Sequence, residues 1–102
     1  SNTFLEKNLW KILYYNGKNN LEDMINFQIF KSKKIDNNLI KLGEFFNLQS
    51  QPVFPVKAKK LMEKYNLKEN KNLGLKLKEM ENIWVNNSFK ISEKEIETVI
   101  KN

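Results

Sequence analysis

The 102-residue sequence contains no cysteine, no histidine and no arginine. Without cysteine the chain has no disulfide, no thiolate nucleophile and no cysteine-based metal site, a composition that is typical of a reducing compartment. Without histidine it lacks the commonest general base and the commonest metal ligand, which leaves carboxylates as the main candidates for site chemistry. The composition therefore argues against a self-contained enzyme.

Long apolar runs are missing as well, and no stretch approaches the roughly 20 residues that span a bilayer. We therefore expect a cytoplasmic protein with no membrane partner. An initiating methionine is also absent, and Ser1-Asn2 is interpreted as the remnant of a cleaved expression tag on a piece of a longer protein. A chain of this length is expected to bury one modest core.

Three short amphipathic helices are predicted before residue 47. Thr3 and Glu6 have the spacing of a capping box, and apolar residues then repeat at helical intervals until Asn16-Gly17. Asn20 is predicted to cap the second helix and Asp36 the third.

A connector at residues 47–56 interrupts this pattern, since it holds both prolines of the chain. A short helix is predicted for residues 57–65 and a turn for residues 66–71, with a longer helix after it. The last helix begins at Ser92, which forms a second capping box with Glu95. Because no segment alternates like a strand, we predict an all-α fold, a single small domain of five to six short helices.

The whole net charge of +6 is confined to residues 57–78, which hold eight lysines and two glutamates, whereas the remaining segments hold ten lysines and ten acidic residues. Localised positive charge indicates a polyanionic partner, and we predict that these lysines bind RNA. They are Lys57, Lys59, Lys60, Lys64, Lys68, Lys71, Lys76 and Lys78. One helical face could hold a row of four, if the helix continued past the turn: Lys57, Lys60, Lys64 and Lys68. The alternative to RNA binding is that these lysines only form the solvated surface of a lysine-rich protein.

Several other residues have both a functional and a packing interpretation. Trp10, Tyr14 and Tyr15 could stack on unpaired bases, but packing in or beside the core is favoured. Trp84 is expected in the core. Gly74 lies early in a predicted helix, where glycine indicates that RNA or another helix approaches closely. Close packing by another helix is the favoured interpretation.

The connector and the residues after it form a recognisable series. Phe54-Pro55-Val56 leads into a short helix, and a later helix opens near Leu73-Gly74 and closes at Ile83-Trp84-Val85. Upstream, Leu9-Trp10-Lys11-Ile12-Leu13-Tyr14 precedes Gly17, with one basic and two aromatic residues among apolar ones. This series resembles the C-terminal part of bacterial-type CCA-adding tRNA nucleotidyltransferases and poly(A) polymerases.

The sequence departs from that family at three places. Lys57-Ala58 stands where many relatives have a small residue and glycine, Lys60 stands where they have an acidic residue, and Glu69-Asn70 replaces a Pro-Gly turn. Asn66 and Asn70 can adopt left-handed conformations and so preserve the turn.

The resemblance implies a parent enzyme with a catalytic head that uses Mg²⁺, a neck that selects CTP and ATP, and helical body and tail domains that hold the tRNA elbow. The head and neck motifs, a Gly-Ser loop with Asp-x-Asp and a Glu-Asp-x-x-Arg motif, do not occur in this sequence. Residues 3–102 are therefore interpreted as a C-terminal tRNA-binding domain, not an enzyme in isolation. It comprises body-like helices at 3–46, the connector at 47–56 and tail-like basic helices at 57–102.

The partners implied are tRNA and the head and neck of the same parent chain, and no catalytic, cofactor-binding or metal-binding residue is expected in this piece. Two other functions stay open. One is a helical structural or protein-interaction domain with no nucleic-acid role. The other is a DNA-binding helix-turn-helix, which the lack of arginine for bidentate guanine contacts disfavours.

Overall fold

The structure is a computed structural model of the chain and describes residues 4–102. Within those residues it contains six α-helices and no strand, which confirms the prediction of an all-α protein with five to six short helices. The helices are α1 (Glu6–Asn16), α2 (Lys18–Lys31), α3 (Asn37–Asn47), α4 (Ala58–Tyr65), α5 (Lys71–Asn86) and α6 (Glu93–Lys101). None of these helices is long and apolar enough to cross a membrane. The interpreted tag remnant Ser1-Asn2 and the proposed cap Thr3 lie outside the described residues.

The chain divides into two compact units, the first ending at Val53 and the second covering Phe54–Asn102. The division falls inside the segment predicted as a connector. Each unit is built from three helices and buries its own cluster of apolar side chains. The chain thus has two small cores where its length led us to expect one. Each set of three helices buries its apolar side chains against one another within its own unit.

The first core takes its buried residues from all three helices of the first unit. They are Leu9, Leu13, Leu21, Ile25, Leu39 and Phe46. Trp10 packs against this cluster, with its ring edge-on to Phe45 and Phe46 at centroid distances of 6.2 and 5.3 Å. The packing interpretation of Trp10 is therefore confirmed, whereas Tyr15 is 50% exposed and lies edge-on to Tyr14.

Gly17 joins α1 to α2 without a loop. Its N–H donates to the Leu13 carbonyl oxygen, and its own carbonyl accepts from the Leu21 N–H. The residue has φ 90° and ψ 163°, a conformation that is essentially restricted to glycine. One residue therefore ends the first helix and begins the second.

This junction overturns the cap predicted for α2, whereas the cap predicted for α3 is present. Asn20 does not cap α2, because the helix already begins at Lys18, and its Nδ2 instead donates to the Asn16 carbonyl oxygen at 2.6 Å. Asp36 caps α3 as predicted, with its Oδ1 accepting from the Leu39 N–H at 3.1 Å.

The second core lies among α4, α5 and α6. Its buried residues are Leu61, Leu73, Met80, Ile96 and Val99. Trp84 of α5 is buried as predicted, with its ring centroid 5.3 Å from that of Phe54 and 4.9 Å from that of Phe89. The Phe54-Pro55 segment thus packs on the second unit through its aromatic ring.

Two asparagines shape the turn between α4 and α5, each in a different way. Asn66 adopts the left-handed conformation, with φ 53°, and the Leu67 N–H donates to the Met62 carbonyl oxygen as in a Schellman motif. Asn70 is extended, not left-handed, and its Oδ1 caps α5 by accepting from the Leu73 N–H at 2.9 Å. A short polar turn therefore satisfies both helix ends.

The predicted capping box at the start of α6 is confirmed. The Glu95 N–H donates to Ser92 Oγ at 3.1 Å, and the Ser92 N–H donates to Glu95 Oε1 at 2.9 Å. The backbone N–H groups of Ser92 and Glu95, which have no partner within the helix, each donate to the side chain of the other residue. This pair of hydrogen bonds fixes the first residue of α6.

Gly74 lies in the first turns of α5, but no helix approaches it closely. A Cβ placed there would meet nothing within 4 Å outside the backbone of its own helix and its neighbours. The favoured interpretation of close helix packing is therefore wrong, and the glycine only weakens α5 through its low helix propensity.

Gly17 and Gly74 should respond in opposite directions to the same substitution. Gly17→Ala is expected to lower the free energy of unfolding by about 1–3 kcal/mol, since alanine is strained in that backbone conformation. Gly74→Ala is expected to raise it by about 1 kcal/mol, because the position is helical and open. Urea denaturation followed by circular dichroism measures both, and a loss of stability in Gly74→Ala would contradict this account.

Candidate nucleic-acid interface

The eight lysines of residues 57–78 all belong to the second unit. One holds the N-cap position of α4, and the others lie on α4, on α5 and in the turn between them. Seven of the eight side chains are exposed, and Lys76 is half buried. Exposure leaves the ammonium groups in water, where they can exchange hydration for phosphate oxygens at little cost in desolvation.

Three of these lysines follow one side of α4. Lys57 holds the N-cap position, and Lys60 and Lys64 follow it at spacings of three and four residues, which places them on successive turns. Leu61 is the buried residue of this helix, with 5% of its surface exposed. Because Lys57 and Lys64 are its neighbours on the helix surface, the lysine row flanks the buried side of α4.

Lys68 does not extend this row, because the helix does not continue past the turn. α4 ends at Tyr65, and the left-handed Asn66 turns the chain before Lys68 is reached. The helical register that would have aligned a fourth lysine is therefore lost, although the side chain is exposed.

Lys76 has an internal hydrogen-bonding role. Its Nζ donates to the main-chain oxygens of Val99 at 2.9 Å and Asn102 at 2.7 Å, which lie at the C-terminal end of α6. A cation that donates to the last carbonyls of a helix satisfies orphan acceptors and offsets the helix dipole. Lys76 therefore links α5 to the end of α6 by two hydrogen bonds.

Two of the exposed lysines form ion pairs. Lys64 Nζ lies 2.9 Å from Glu93 Oε2, and Lys78 Nζ lies 3.1 Å from Glu81 Oε1. The hydrogen bond and the charge of Glu93 hold the pKa of Lys64 above its ordinary value. Exposed pairs of this kind contribute little to stability, so a phosphate can displace the carboxylate.

The other five lysines make no ion pair with any of residues 4–102. They are Lys57, Lys59, Lys60, Lys68 and Lys71. All five are exposed on α4, at the start of α5 or in the turn between these helices. Their charge is therefore not neutralised within the part of the chain that the structure describes.

A groove of about 680 Å³ opens beside the lysine row and extends to α6. Apolar side chains line most of it: Pro55, Val56, Leu61, Tyr65, Ile91 and Ile96. Charged side chains of both signs also reach it: Lys57, Lys60, Lys64, Glu63 and Glu93. We call this feature the α4/α6 groove.

The sequence pattern located the lysines but not the groove or Glu93. Ile91 and Ile96 line the groove together with Leu61, about 30 residues away in the sequence, and Glu93 contacts Lys64 across 29 residues of sequence. Local spacing does not encode such contacts. A row of lysines beside an apolar groove can bind phosphates as point charges, without the bidentate geometry that arginine provides.

Comparison with family models, curated proteins and solved structures yields no match to this chain. Its function must therefore be argued from the residues and their geometry.

Substitutions at Lys76 and Lys71 test whether the hydrogen bonds of Lys76 stabilise the second unit, because both lysines lie on α5 and only Lys76 makes such bonds. Lys76→Met removes two hydrogen bonds to the end of α6 and is expected to lower the free energy of unfolding by about 1 kcal/mol. Lys71→Met makes the same chemical change at an exposed position and should have much less effect. Hydrogen exchange of the α6 amides should rise in the first variant alone, and equal effects of the two substitutions would refute the assignment.

Proposed function

We propose that this chain is an RNA-binding domain that holds tRNA through lysine–phosphate contacts of its second unit. In this proposal it is the C-terminal domain of a CCA-adding tRNA nucleotidyltransferase or poly(A) polymerase. Its task is to grip the tRNA elbow while a separate head, which would use Mg²⁺ with CTP and ATP, extends the 3′ end. The domain itself performs no catalysis.

One observation carries the proposal: the entire net charge lies in residues 57–78, and five lysines of that stretch have no ion-pair partner among residues 4–102. Concentrated like charge opposes folding through repulsion unless a counter-charge binds. A polyanion relieves that repulsion, and its condensed counterions are released when lysines replace them. Phosphate contacts position an RNA without reading its sequence, which suits a protein that must accept many tRNAs.

The alternative, a protein-interaction domain, is supported by exposed apolar side chains of the first unit. Phe27, Phe30 and Ile35 are exposed to 62%, 87% and 83%. A partner protein that covered such side chains would remove apolar area from water. These side chains do not explain the charge of the second unit, so the RNA-binding proposal accounts for more of the chain.

Two triple substitutions that remove the same charge test whether tRNA binds to the second unit in particular. Lys57→Gln, Lys60→Gln and Lys64→Gln together should weaken tRNA binding by more than about tenfold at moderate salt. They should also reduce the slope of log K against log salt by roughly 2–3, because three phosphate contacts are lost. Fluorescence anisotropy over a range of salt concentrations measures both quantities.

The matched control replaces three exposed lysines of the first unit, Lys31, Lys33 and Lys34, with glutamine. It lowers the net charge equally and should change the affinity and the salt slope much less. If the control weakens binding as much as the α4 variant, localisation of the site is refuted. If tRNA binds no better than an unstructured RNA of equal charge, recognition of tRNA shape is refuted.

Glu93 should oppose RNA binding, since it pairs with one lysine of the row. Glu93→Gln removes the carboxylate charge beside Lys64 and is expected to raise the affinity for tRNA a few-fold, with a steeper salt dependence. Glu79→Gln on α5 is the control, because Glu79 is exposed and forms no ion pair with the row. A gain in Glu79→Gln equal to that in Glu93→Gln would show that only net charge matters.

A further inference from the structure

We propose that the α4/α6 groove receives an unpaired base of the bound RNA, while the phosphates on either side of that base contact the lysine row. This inference rests on the proposed function and deepens it. It names the part of the RNA that the domain recognises, a single-stranded nucleotide in a loop or bulge, in addition to backbone charge.

The size and lining of the groove suit an occupant with apolar or aromatic surface. Its volume of about 680 Å³ falls within the range of about 300–1,000 Å³ that is typical of pockets for small organic groups. Val56, Leu61 and Ile96 supply apolar surface, and Tyr65 supplies an aromatic ring. A base presents apolar faces of this kind, and stacking on an aromatic side chain tolerates any base.

The charges around the groove fit the backbone that a base carries. Lys57, Lys60 and Lys64 all line the groove as well as forming the row on α4. A base in the groove would have its own phosphates within reach of these lysines, so one ligand uses both features. Lys64 Nζ lies over the Tyr65 ring, 5.5 Å from its centroid, so a cation of the row contacts the same ring on which the base is proposed to stack.

The two acidic residues at the groove disfavour a densely charged ligand. Glu63 and Glu93 also line it, and Glu93 is held by Lys64. A duplex would bring two phosphate strands against these carboxylates, whereas a single nucleotide brings only the phosphates on either side of it. An acidic amphipathic peptide is the competing occupant, and it would leave the ring of Tyr65 without a stacking partner.

The test compares two RNA hairpins of equal charge, one with a natural loop and one whose loop nucleotides are abasic. The unmodified chain should bind the abasic hairpin about tenfold more weakly, because stacking is lost while the phosphates remain. Tyr65→Leu should bind both hairpins with similar affinity, and Tyr65→Phe, which keeps the ring, should discriminate as the unmodified chain does. The comparison on the unmodified chain needs no variant and so does not depend on the folding of Tyr65→Leu.

The outcomes distinguish this inference from the proposed function. Equal, salt-sensitive binding of both hairpins by the unmodified chain overturns the base-binding inference but leaves phosphate binding intact. Failure of both hairpins and of tRNA to bind overturns the proposed function and this inference together. Binding of an acidic helical peptide that is lost in Tyr65→Leu and does not compete with the natural hairpin would also overturn it.

Discussion

Burial of Leu61 determines which way the lysines of α4 face. A helix of eight residues is too short to be stable alone, so its orientation is set by the residues that it buries. Leu61 is the buried residue of α4 and belongs to the second core with Met80 and Ile96. Its neighbours at i−4 and i+3 are Lys57 and Lys64, which are therefore held beside the core and not opposite it. The lysine row and the α4/α6 groove both follow from this register.

The second unit partly compensates its own charge. Lys76 donates to main-chain oxygens at the end of α6, and Lys64 and Lys78 pair with glutamates. Five exposed lysines have no such compensation within residues 4–102. The lysines therefore divide into three that have a partner within the unit and five whose charge faces only water. The proposed RNA partner is the counter-charge for these five.

Features encoded by neighbouring residues were predicted well from the sequence. The Asp36 cap and the Ser92–Glu95 capping box each need only four residues of chain, and Trp84 was assigned to the core from its helical stripe. The Asn20 cap was wrong because glycine at position 17 lets α2 begin earlier. Whether each of these caps formed was decided by the backbone conformation of the few residues around it.

Features that depend on distant residues were not predicted. The hydrogen bond from Lys76 to Val99 spans 23 residues, and the Lys64–Glu93 pair spans 29. Two cores formed where one was expected, because three short helices suffice to bury each cluster. In the candidate site, sequence therefore identified the charged residues, whereas only the fold distinguishes the lysines on the α4 row from Lys68 and Lys76.

The central claim is that the lysines of α4 and the turn after it contact RNA phosphates. Amide chemical shifts of the isotope-labelled chain, recorded during titration with tRNA, test this claim residue by residue. We expect the largest changes on Lys57–Lys71 and on the α6 residues that border the groove. Changes concentrated instead around the exposed Phe27 and Phe30 of the first unit would contradict this claim.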